Sequence, residues 1–168
     1  MKSSKFAAVA AAAGLSLACA VVLADGGKGR ESPGRFEITI TNLTRTQSFT
    51  PILAAAHTRR VALFELGKPA GEGLALLAES GDTALLASEL ASSGQVGPSV
   101  ATSGLLAPGQ SITLQVAASP RFDQLSLAAM LIPTNDSFMA LDSLDLPWDR
   151  AVRVRLVPAY DSGSEPND

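Results

Sequence analysis

Residues 35–43 read RFEITITNL. Phe36, Ile38 and Ile40 alternate with Glu37, Thr39 and Thr41. Successive side chains of a strand point to opposite faces, so this period of two predicts a strand with one buried and one solvated face. Antiparallel sheets packed on one side carry such strands. Residues 111–117, SITLQVA, repeat the pattern with Ile112, Leu114 and Val116. Residues 151–157, AVRVRLV, repeat it with Val152, Val154 and Leu156 on one face and Arg153 and Arg155 on the other. Residues 124–132, QLSLAAMLI, alternate and then run apolar, as a central strand does. Residues 60–66, RVALFEL, read as a further strand. Pro108-Gly109 marks a turn between two of these segments.

Residues 71–92 change period. Leu74, Leu77 and Ala78 have helical spacing, and so do Leu85, Leu86, Glu89 and Leu90. Ser80-Gly81-Asp82 divides them, with Gly81 suited to close one helix and Asp82 to N-cap the next. The strands lack the regular helix interleaving of a parallel sheet. The expected fold class is all-β: a mostly antiparallel β-sandwich with one short two-helix excursion. The sequence contains no internal repeat.

Residues 1–24 have the build of a secretory signal peptide: Lys2 and Lys5, a small-apolar run from Phe6 to Ala24, and small residues before a cut at Asp25. A cut after Ala20 fits about as well. The run is near the roughly 20 residues of a membrane span, but it is mostly Ala, with no basic cluster directly after it. Lipidation at Cys19 is a further reading, weakened by Ser16 where a lipobox has an aliphatic. Residues 25–34, DGGKGRESPG, read as a flexible lead-in. The domain proper then spans 35–168, in a secreted or periplasmic protein with no membrane span after cleavage.

Composition excludes several chemistries. The chain of 168 residues has one Cys and one His, too few for a Cys/His zinc site or an internal disulfide. Its net charge of −3 gives no basic footprint for nucleic acid. There is no Walker motif and no G-x-G-x-x-G; Gly67-Lys68-Pro69 is a turn. His57 is the sole His base for a hydrolase, but no G-x-S-x-G elbow nominates a nucleophile. It reads as a structural residue after the Ala54–Ala56 run, and the protein as no enzyme. Asn42-Leu43-Thr44 and Asn135-Asp136-Ser137 are formal glycosylation sequons.

The acids cluster. Asp136, Asp142, Asp145 and Asp149 follow the buried strand, and Asp161 to Asp168 follow the last one. Loops after strands can share one rim of a sandwich. Carboxylates on Gly/Ser loops are the hard oxygen donors that Ca²⁺ takes. Asp161 and Glu165, with Gly163 between them, can curl around one ion. A solvated loop and an acidic tail account for the same residues without a metal.

FEITITNLT, the AAAH at 54–57, LFELGKPA, AESGDTALLASEL, MLIPTNDSFMALDSLDL and PAYDSGSEPND together resemble the spondin N-terminal domain. That domain occurs in F-spondin, in mindin and in small exported bacterial proteins. The resemblance covers about residues 35–168 and implies a C2-like antiparallel sandwich with a bound calcium ion. It implies that Asp136 is the first calcium aspartate, Asp161 (after Tyr160) the second, and Glu165 the third acidic ligand, where the family usually has Asp. Pro147 stands where animal members have a Cys, and relatives usually continue past the position of Asp168. The function it implies is an exported, calcium-binding module for an extracellular protein or glycan partner.

Overall fold

The computed structural model describes residues 34–165 and the backbone of residues 19–25. Most of the expected signal peptide, residues 1–18, and most of the lead-in, 26–33, lie outside the described residues. Cys19–Asp25, the end of the expected signal segment, forms strand β1.

The chain continues through β2 (Gly34–Asn42), β3 (Ser48–Phe49), β4 (Leu53–His57), α1 (Glu72–Ser80), α2 (Ala84–Ser92) and β5 (Val96–Ala101). It finishes with β6 (Ser111–Ala118), β7 (Gln124–Ile132), β8 (Ser137–Asp145), β9 (Arg153–Val157) and β10 (Ala159–Asp161). One sheet has the order β6-β2-β1-β9. The other has the order β10-β8-β7-β4-β5, with β3 also paired to β7. Every adjacent pair is antiparallel. The expected all-β sandwich with a two-helix excursion is the fold observed.

The two sheets share one core. Phe36, Ile38 and Ile40 from β2 and Leu114 and Val116 from β6 face Ala54, Ala56, Leu125, Leu127 and Ala129 from β4 and β7. The opposite face of the six-stranded sheet is covered as well. Leu74, Leu77 and Ala78 of α1 and Leu86 of α2 pack on Leu53, Ala128, Phe138 and Ala140. The helices therefore form a third layer, which explains why the last half of β7 is apolar without alternation. Gly81 closes α1 at φ +73°, donating its N–H to the Leu77 carbonyl at 2.9 Å. The Asp82 carboxylate accepts the Ala84 amide at 2.8 Å and so opens α2.

Three expectations are corrected. Residues 60–66 form no strand; they are turn and loop. Asp142 and Asp145 lie within β8, not in a loop. The apolar face of β9 does not reach the core: Val152, Val154 and Leu156 are 61%, 51% and 55% exposed, Arg155 is exposed too, Arg153 is half-buried, and Val157 is the strand's buried residue. This setting follows from β1. Its register sets Arg153 and Arg155 on the same side of the sheet as Ile38 and Ile40.

Candidate functional site

At one end of the six-stranded sheet, the β7–β8 connection meets the C-terminal loop. β10 pairs with β8 so that Asp161 lies opposite Ser137, the neighbour of Asp136. The chain then folds back over Asp136. The Ser162 amide donates to the Asp136 carbonyl at 3.2 Å. The Asp136 carboxylate accepts four hydrogen bonds: from the Ser162 hydroxyl (2.9 Å), the Ser164 amide (3.1 Å), the Glu165 amide (3.2 Å) and the Ser164 hydroxyl (3.4 Å). All four fall on Oδ2. Burial, at 2% exposure, would push this carboxyl up. The bonds from Ser162, Glu165 and Ser164 outweigh it and hold the group below its ordinary value.

Asp161 and Glu165 are exposed. The Asp161 Oδ1 accepts the Gly163 amide at 2.8 Å and sets the loop's turn. The structure thus brings Asp136 to the backbone of Asp161–Glu165. Among the described residues, however, no three acidic, His or Cys side chains are grouped as a metal shell. The donor set still fits Ca²⁺ in kind. It offers hard carboxylate oxygens on two adjoining loops, and the hydrogen bonds to Asp136 leave its Oδ1 outside their pattern. Beside this rim, the Ala70 amide bonds the Ser162 carbonyl at 2.9 Å. Phe64 packs on Phe138 and Tyr160, with ring centroids 5.5 and 4.6 Å away. These rings, with Lys68 and Asp161, line a shallow recess.

The remaining acids do not join this rim. Asp145 pairs with Gln124 at the far end of β8, which eight residues of strand place roughly 26 Å from Ser137. There Arg59 bridges Asp123 and Asp145, and Gln124 donates to Asp145 at 2.8 Å.

His57 is 1% exposed and sits in a polar chain. Its Nδ1 meets the Thr58 carbonyl at 2.8 Å, so that nitrogen carries a proton. Its Nε2 lies 2.7 Å from the Ser126 Oγ, which donates to the Asp142 Oδ1 at 2.9 Å and accepts the Ser143 amide at 2.9 Å. Here the serine stands between imidazole and carboxylate. A nucleophilic triad needs the imidazole in the middle and the serine open to substrate. Ser126 is 2% exposed, so this arrangement braces β4, β7 and β8.

Ser162, Ser164, Ser126 and Asp142's role escaped sequence reading. The S-x-S spacing at 162–164, directly after Asp161, is the one local signal that marked the donors to Asp136. Asn42 is buried, with its amide donating to the Gln47 and Leu106 carbonyls at 2.8 and 2.9 Å. That excludes it as a glycan acceptor in the folded protein; Asn135 is exposed.

No match was found among curated proteins. The Spondin_N family model matches residues 39–166, from β2 through the loop that covers Asp136. That family comprises extracellular-type modules. The matched span holds the helical excursion, the Asp136 rim and every strand but β1 and the first half of β2, and the chain belongs to the spondin N-terminal domain family.

Proposed function

We propose that this protein is an exported, non-enzymatic binding module whose Asp136 rim takes one Ca²⁺ ion. The observation that supports it is a buried carboxylate held ionised where two loops converge, in a spondin N-terminal domain. Asp136 supplies the anchoring charge. Asp161 and Glu165 contribute by turning their exposed carboxylates toward it, and backbone oxygens and water complete the shell. A bound ion pins the C-terminal loop to the β7–β8 connection and presents the rim to an extracellular protein or glycan. Residues 1–24 direct secretion or periplasmic export, and the exported protein begins at Asp25; an N-terminus at Met1 on exported material would sink this part.

Thermal melting in Ca²⁺ and in EDTA tests the ion. At a Ca²⁺ concentration about 100 times Kd, binding to the folded state adds about 2.7 kcal/mol. That raises Tm by roughly 5–10 °C in a domain of this size. Asp136→Asn should remove the increment. An unchanged Tm at millimolar Ca²⁺ overturns the calcium reading.

One observation favours a second reading, a metal-free exported structural domain. Asp136 already receives four hydrogen bonds from its own chain. The same melt separates the two readings.

A further inference from the structure

Strand β9 reaches the rest of its sheet only through β1. Both β2 and β9 run antiparallel to β1, so they run parallel to each other with one strand between them. The intervening strand is Cys19–Asp25, and six of its seven residues precede the Ala24–Asp25 bond at which export would cut.

Three marks of an ill-suited seat gather on the β9 side. Val152, Val154 and Leu156 face solvent while Arg153 and Arg155 take the side of Ile38 and Ile40. Among the described residues, Trp148 Nε1 is the one buried side-chain polar atom with no hydrogen-bond partner, and its ring stands edge-on to Phe36 of β2 at 5.1 Å. Arg150, in the turn that delivers β9, sits at φ +59°, a conformation that costs a residue with a side chain. Strand side chains have a period of two, so a one-residue slip exchanges the faces of a strand completely.

We propose that removing residues 1–24 lets β9 move inward by one strand, pair directly and in parallel with β2, and exchange its faces. The inference rests on the export reading for its occurrence in the cell, but not for its physics. In the exchanged sheet, Val152, Val154 and Leu156 join Ile38 and Ile40 in the core, and Val157 turns outward. Three apolar side chains leave water for one that enters it. Arg153 and Arg155 reach the outer face, where Glu37 already lies exposed. The leader's last residues therefore act as a placeholder strand, and the precursor and the processed protein have different sheets.

The test compares the full chain, kept uncleaved and carrying Cys19→Ser, with the chain 25–168. Val154→Cys or Arg153→Cys provides the only thiol in each. In the full chain Val154→Cys should react freely with a thiol reagent. In 25–168 it should react at least tenfold more slowly, while Arg153→Cys reacts faster. Hydrogen exchange on unsubstituted 25–168 gives a second readout: β2 amides stay protected because β9 replaces β1. Equal Val154→Cys rates in the two chains, or β2 amides exchanging as a bare edge, would overturn the proposal. So would a 25–168 chain that shows no cooperative melt, or that elutes as a dimer whose second copy fills the slot. Exported protein found to retain residues 19–24 would instead overturn the cleavage reading, and the comparison of the two purified chains would still decide the exchange.

Discussion

Asp136 shows what a single buried charge does in this fold. Its carboxyl is held below the ordinary value, so the folded state binds its proton less readily than the unfolded chain does. The resulting stabilisation is fully present above about pH 4, the ordinary carboxylate range. It is lost as pH falls through the lower folded-state value. Asp136→Asn should cost about 2 kcal/mol at pH 7, the scale of hydrogen bonds to a charged group. It should also flatten the acid limb of a stability-versus-pH curve measured by denaturant titration; an acid limb as steep as wild type's would show that other carboxyls set it. Ser126→Ala leaves the His57 Nε2 and the Ser143 amide without their partner, while the Asp142 Oδ1 keeps the Leu63 amide and the Ser143 hydroxyl. We expect a loss of about 2 kcal/mol, read as a Tm lowered by roughly 4–8 °C. A structural His57 was legible because a lone His after an Ala run is a local pattern, whereas Asp136 was one of four clustered acids and was singled out only by the family resemblance. Ser126 was not, because nothing near it in sequence distinguishes a serine that meets a histidine 69 residues away.

At the scale of elements, the helices meet through a close approach. A Cβ on Gly73 would stand 2.8 Å from the Leu86 Cα, and the Gly73 amide donates to the Glu89 carboxylate at 3.1 Å. Alanine has the better intrinsic helix propensity by about 1 kcal/mol. Gly73→Ala should nevertheless destabilise the protein, because backbone must give way where the two helices touch. A raised Tm would show that α2 can withdraw without cost. Strands with strict alternation, β2 and β6, were legible to within a residue or two. β4, LAAAH, was not: it is buried along its whole length and made largely of alanine, so it offers neither alternation nor β-branched residues. β9 was legible as a strand with Val and Arg on opposite faces, but its apolar face does not reach the core. Amphipathic pattern reports which face a strand is suited to bury, and β1 holds β9 in the other setting. Residues 60–66 have strand-like composition, yet they leave the sheet, with Phe64 spent on the aromatic contact beside Tyr160.

For the whole molecule, the order of the strands in sequence gave the sandwich but not its third layer, since the pattern of α1 shows an apolar face without saying which sheet it covers. Charge likewise looked like one acidic end and proved to be two, separated along β8. The chain also has one tryptophan and one tyrosine. Trp148 lies against Phe36 on the four-stranded sheet, whereas Tyr160 stacks with Phe64 and Phe138 at the Asp136 rim. The protein therefore carries two native optical reporters, one packed against the four-stranded sheet and one within the six-stranded sheet. Indole emission excited at long wavelength follows the first, and the tyrosine band of near-ultraviolet dichroism follows the second. Coincident unfolding curves from the two would mean that both sheets melt as one cooperative unit. An early tyrosine transition, delayed by Ca²⁺ alone, would show the rim opening before the sandwich does.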